Sequence, residues 1–146
     1  MRSLRTSRNP QAMTVALAHI RVKDAMHHGI LSCTGDAPLG EVAAVMARNR
    51  VHAVAITDGQ SPAPIGVVSD LDVVAAAARG GEATARQVAA NEPLAVSADE
   101  RLHRAAQLMT EHGVSHLIVL DAAGGFPVGV LSTLDVASVY AGSLER

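Results

Sequence analysis

Two short segments of this chain repeat one arrangement of a hydroxyl and a carboxylate: Ser69-Asp70-Leu71-Asp72 and Ser132-Thr133-Leu134-Asp135. Each follows an apolar run of strand length and opens a stretch with helical spacing, so each sits where a strand turns into a helix. A helix N-terminus presents unpaired backbone N–H groups and a partial positive charge, a cradle for an anion. A serine at the junction adds a hydroxyl to that cradle. A carboxylate three residues on lies about one turn into the helix on the same side, placed to accept both hydrogens of a vicinal diol such as that of a ribose. Gly66 and Gly129, on the incoming strands, leave room for a ligand to approach the backbone. The same spacing describes a capping box, in which serine and acid satisfy the helix's own first amides. A single Ser-x-x-Asp is more often a cap than a site. Two copies, each preceded by Gly-Val-(Val/Leu), shift the weight toward a site, and both readings stay open.

Other reactive residues carry less. His27-His28 adjoin Met26, with Cys33 downstream, but no CxxC or HxxxH spacing supplies the three or four convergent ligands of a metal site. They read as surface histidines on a turn. Cys33 stands alone, so no intrachain disulfide forms, and in a strand it reads as a small buried hydrophobe. His103 and His112 fall on the polar side of their helix. No Ser-His-Asp or Cys-His arrangement, carboxylate pair or P-loop supports catalysis, and the chain reads as a non-enzyme.

The elements that hold the two junctions are themselves duplicated. A single shift of 63 residues (66 to 129) pairs Asp36 with Asp99, Leu39 with Leu102, Ala43 with Ala106, Met46 with Met109, Val51 with Val114 and Asp58 with Asp121 without a gap. One register held across so many positions is a repeat. Each copy begins with a short strand (Ile30–Cys33, Leu94–Val96), then Asp36 or Asp99 as a helix N-cap. Apolar residues at 39, 42, 43 and 46, and at 102, 105, 106 and 109, predict a one-sided helix. Val54–Thr57 and Leu117–Leu120 are apolar throughout and predict strands buried on both faces. Turns rich in Gly, Pro and Ala (58–64, 121–127) lead to a second strand (Ile65–Val68, Val128–Leu131) and a second helix (Leu71–Arg79, Leu134–Ala141). The predicted class is α+β, each repeat running strand-helix-strand-strand-helix. The expected division is a tail and lead-in helix over 1–20, a first unit over 21–80 and a second over 84–142, with the lead-in helix covering Met13–Met26 and Gly80-Gly81 closing the first unit. A unit of about 55 residues is marginal alone, so the two are expected to share one core as a pseudo-twofold module.

Composition narrows the partners. Phe126 and Tyr140 are the aromatic residues and Trp is absent, which argues against a nucleic-acid surface built on base stacking. A net charge of −2 implies no strong electrostatic partner. Arg2, Arg5 and Arg8 form a basic, Ser-rich run that reads as a frayed tail rather than a nucleic-acid arm, and Met13 offers an alternative start. No stretch approaches the ~18–20 apolar residues of a membrane span, no secretory h-region is present, and the cytoplasm is the expected location.

Gly113-Val114-Ser115-His116-Leu117-Ile118-Val119-Leu120-Asp121, followed by Gly129 to Asp135, resembles the second half of a cystathionine-β-synthase (CBS) motif. Arg50-Val51-His52-Ala53-Val54 with Gly66 to Asp72 resembles it less closely, and the likeness covers about residues 20 to 141. The resemblance implies a CBS pair, or Bateman module, with two clefts between the repeats that take AMP, ADP, ATP or S-adenosylmethionine. It implies Asp72 and Asp135 on the ribose, Ser69 and Ser132 near phosphate, and His52 with Ala53, and Ser115 with His116, at the phosphate-facing position. Ser32 and Ala95 are implied on the base pocket. Ala55 and Ile118 stand where the family usually has proline. Ala53 and His116 stand where it often has arginine, which leaves the Asp72 cleft the weaker for phosphate. The expected function is a regulatory module sensing an adenosyl ligand, acting in trans on an unnamed protein or through a homodimer packed by its Ala- and Val-rich helices (Val73–Ala78, Val136–Ala141). The alternative is an interaction scaffold whose clefts hold no physiological ligand.

Overall fold

The computed structural model describes residues 17–91, 94–123 and 125–145. Its elements in order are α1 (Val22–Ala25), β1 (His27–His28), β2 (Ser32–Thr34), α2 (Leu39–Asn49), β3 (Ala53–Thr57), β4 (Gly66–Ser69), α3 (Asp70–Arg79), α4 (Ala85–Val88), β5 (Ala90–Asn91), β6 (Ala95–Ser97), α5 (Leu102–His112), β7 (His116–Leu120), β8 (Pro127–Ser132) and α6 (Thr133–Glu145). A shift of 63 carries the first five elements onto their counterparts end to end, α1 and β1 included, and places β4 and α3 within β8 and α6. The duplication therefore reaches further forward than the hydrophobic pattern alone disclosed.

Two four-stranded sheets form, ordered β2-β3-β4-β5 and β1-β8-β7-β6. The parallel pairs β2–β3 and β6–β7 enclose a helix, as a parallel connection requires. The outer strands are exchanged. β1 precedes the first unit yet pairs with the second unit's β8 (His27 with Val130, His28 with Gly129). β5 precedes the second unit yet pairs with the first unit's β4 (Ala90 with Val67, Asn91 with Gly66). The short helices cross over in the same way. Val22 N–H donates to Glu100 O and Lys23 N–H to Ala98 O, both at 2.9 Å, while Ala85 N–H donates to Ala37 O and Arg86 N–H to Gly35 O, also at 2.9 Å.

The core divides accordingly, which corrects the expectation of one shared core. Val42, Met46, Val54, Ile56 and Val68 cluster with Ala85 from α4. Leu102, Met109, Leu117, Val119 and Leu131 cluster with Val22 and Met26 from the leading segment of the first unit. Each sheet has one helix-covered face, so each gathers its own cluster. On the alternate positions of the same strands, Ala53, Ala55 and Ile118 are buried as well. Full burial of a side chain such as Val22 contributes roughly 1.5–3 kcal/mol, and here that energy ties the two units together.

Two further expectations are corrected. Asp36 and Asp99 are not N-caps: the residues at those positions are Pro38 and Arg101, neither with a side-chain cap. Asp36 instead accepts from Thr34 Oγ1 at 2.6 Å and Asp99 pairs with Lys23 at 3.0 Å. Asp36 is thereby committed to the turn before the helix. The lead-in helix is also not continuous. Residues 13–16, like Arg2, Arg5 and Arg8, lie outside the described residues, and the chain leaves helical conformation over 19–21 before α1.

Candidate ligand site

Both Ser-x-x-Asp junctions fold as capping boxes. Ser69 N–H donates to Asp72 Oδ2 at 2.8 Å and Asp72 N–H to Ser69 Oγ at 3.2 Å. Ser132 N–H donates to Asp135 Oδ2 at 2.8 Å and Asp135 N–H to Ser132 Oγ at 3.1 Å. A cap spends one carboxylate oxygen and leaves the other, so capping and ligand binding are compatible at one residue. The copies differ in what surrounds that second oxygen. Asp135 is only 9% exposed, and Nδ1 of His27 lies 3.1 Å from its Oδ1. His27 arrives on β1, the exchanged strand, so the first unit's leading segment supplies the second unit's acid with its partner. The turn expected at His27-His28 is therefore a strand.

A cavity of about 430 Å³ opens beside this junction. Ser132, Val130 and His116 come from the second unit; Ala53, His52, Val51 and Arg50 come from the first, and His27 to Leu31 complete the wall. Three of the expected residues, His52, His116 and Ser132, thus meet on one wall, with Asp135 joined to it through Ser132 and His27. Ser69 and Asp72 stand at the equivalent junction of the other copy. Ser32 and Ala95 are exposed on the short strands β2 and β6, and the cavity is lined instead by Gly29, Ile30 and Leu31 just before β2. Sequence reasoning missed these three and Arg50. The motif Arg50-Val51-His52 carried the only signal that could have found any of them.

The electrostatics are those of histidine. His52 Nδ1 lies 2.9 Å from Asp70 Oδ2, a contact that holds the Asp70 carboxyl below its ordinary range. His116 is half-buried, with Nδ1 2.9 Å from Ser115 Oγ. Burial pushes its pKa down, against the pull of Asp70, Asp135 and Asp72 and with the push of His52. The unfolded chain therefore binds a proton at His116 more readily than the folded one. Stability rises with pH wherever the unfolded state holds more protons, so the ligand-free protein is expected to lose stability as pH falls below about 6.5, and the loss stops once His116 is protonated in the folded state too. Urea unfolding of wild type and His116→Gln between pH 5 and 8 checks this; equal slopes in the two proteins would refute it.

Among the described residues no group of His, Cys, Asp and Glu is arranged to hold a metal ion. No helix of the described residues is long and apolar enough to cross a membrane.

A model of the CBS domain matches the chain twice, over residues 22–79 and 85–142. Among solved structures, the chain is similar to the CBS domain protein PAE2072 from Pyrobaculum aerophilum complexed with AMP, at 30% identity and a TM-score of 0.74 over 86% of this chain and 98% of that one. It shares the fold of the CBS domain pair of protein MJ0100 in complex with 5′-methylthioadenosine and S-adenosyl-L-methionine (18% identity, TM-score 0.77, 85% and 98% covered). It also shares that of CBSX2 in complex with AMP (23%, 0.69, 86% and 98%). No curated protein matches the chain.

Proposed function

The chain belongs to the CBS-domain family, carrying two copies of the domain, and from that premise we propose that it is a regulatory module that senses a phosphorylated adenosyl ligand in the cleft of Asp135. The observation that carries this reading is the wall of that cleft, where His52 of the first unit meets His116 and Ser132 of the second. A ligand spanning both units favours one relative arrangement of them, which is what a sensor requires. The volume falls within the roughly 300–1,000 Å³ of small-molecule pockets. Ser132 faces the anionic end, and Asp135 takes the ribose hydroxyls. Ile30, Leu31 and Val51 offer apolar surface to a base. The complex of the 30% identical relative with AMP points to the same ligand class.

The positions 63 residues from His52 and His116 are Ser115 and Ala53, so the Asp72 cleft is the weaker one for phosphate. The output passes through the oligomer or an unnamed partner protein. Leu71 and Val74 on α3, and Leu134 and Tyr140 on α6, stand 72%, 62%, 63% and 45% exposed, an apolar surface suited to packing against a second copy.

A thermal-shift titration with AMP, ADP, ATP, S-adenosylmethionine and adenosine tests the reading. Ligand at a hundred times its Kd stabilises by about 2.7 kcal/mol, a rise of roughly 5–10 °C for a chain this size. The expected order places AMP above adenosine. No shift with any ligand at millimolar concentration would leave the scaffold alternative standing.

A further inference from the structure

Among the described residues, one residue other than glycine has positive φ: Arg50, at φ 53° and ψ 45°. It ends α2, its N–H donating to Met46 O. The residue 63 positions on, Gly113, ends α5 at φ 64° with its N–H on Met109 O. The next residues match too: Val51 N–H reaches Met46 O at 3.1 Å and Val114 N–H reaches Met109 O at 3.0 Å. The helix ending is thus the same in both copies, and glycine makes it without the steric cost that a Cβ brings to the left-handed region. The backbone gives no reason for arginine at 50. Strain kept at a place where a cheaper residue does the same structural work marks a side chain with a task.

The surroundings name the task. Arg50 lies on the wall of the Asp135 cavity and is the one lysine or arginine there. It makes no ion pair or side-chain hydrogen bond among the described residues, whereas His52 is already held by Asp70 at 2.9 Å. The other titratable groups on or beside this wall are His27, His28, His52 and His116, with Asp70, Asp72 and Asp135 acting on them. A guanidinium carries a full charge at every working pH and offers paired donors to phosphate.

We propose that Arg50 is the phosphate-binding residue of the Asp135 cleft, set by its left-handed helix ending to reach the ligand of the opposite repeat and to select anionic over uncharged adenosyl ligands. This rests on the adenosyl-ligand reading above. At the matching position of the second copy Gly113 carries no side chain that could play this part.

The test is Arg50→Gly, with Arg50→Lys beside it, titrated by calorimetry with AMP and with adenosine at pH 8. The glycine variant is expected to melt about 2 °C higher than wild type, because the left-handed residue is relieved, and to bind AMP at least tenfold more weakly, with adenosine affinity unchanged. Lysine restores part of the AMP affinity. Equal loss for AMP and adenosine would overturn the proposal by placing Arg50 on the base or in the fold, and an unchanged AMP affinity would overturn it as well. Failure of wild type to bind either compound would sink the adenosyl reading itself, a result separate from these.

Discussion

Asp135→Asn is expected to leave the melting temperature of the free protein within about 2 °C of wild type and to weaken AMP binding ten- to a hundredfold. The amide oxygen of asparagine still accepts from Ser132 N–H, so the bond that Asp135 makes at 2.8 Å survives, as an amide does at this place in a capping box. The amide nitrogen, however, cannot accept a ribose hydroxyl, and the charge that strengthens such a bond is gone. Hydrogen bonds to charged groups are worth about 1.5–3 kcal/mol each, which fixes the range of the loss. Asp135→Ala removes cap and ligand contact together and is expected to lower stability by about 0.5–2 kcal/mol. Calorimetric titration and melting curves of the two variants separate the roles. Should the asparagine protein bind AMP as wild type does, Asp135 would be a cap alone.

Gly129→Ala is expected to be the most damaging single methyl addition at the site. A Cβ built on Gly129 overlaps the carbonyl oxygen of His27 and presses on the end of Met26. The obstacle is backbone, so no side-chain rotation relieves it. β1 must move away from β8, losing the pairing of His27 with Val130 and His28 with Gly129 and loosening Met26 in the second unit's core. The expected destabilisation is about 2–3 kcal/mol, and His27 leaves Asp135 with it. Urea unfolding measures the first effect and AMP titration the second. A variant within 0.5 kcal/mol of wild type would mean that β1 contributes little to the fold.

Much of this was legible in the sequence because local pattern and duplication agreed. Leu102, Ala105 and Met109 were marked by helical spacing, Val54 to Thr57 by continuous apolarity, and the Ser-x-x-Asp junctions by their recurrence at one shift. What escaped has physical reasons. β1 and β5 are two residues long, too short for any periodicity, and their partners lie far away in sequence, His27 against Val130. Nothing local to His27-His28 distinguishes a strand from a turn. Asp36 has the right spacing for an N-cap, but the Thr34 hydroxyl takes its carboxylate and the helix starts at Leu39. The left-handed Arg50 is illegible because arginine carries no positive-φ signal; only its alignment with Gly113 exposes it.

The exchange of leading segments also bears on how such a chain arose. The helix–strand segment that starts each unit completes the sheet of the other, through the same register and the same backbone hydrogen bonds in both directions. A chain with only one unit, keeping this geometry, has a three-stranded sheet and a leading segment that cannot reach it. It closes by trading segments with a second copy, as swapped dimers do. Duplication followed by fusion then turns a swap between two molecules into one within a single chain. The two copies, no longer bound to be identical, are free to diverge, and here they have: one keeps the glycine, the other the arginine.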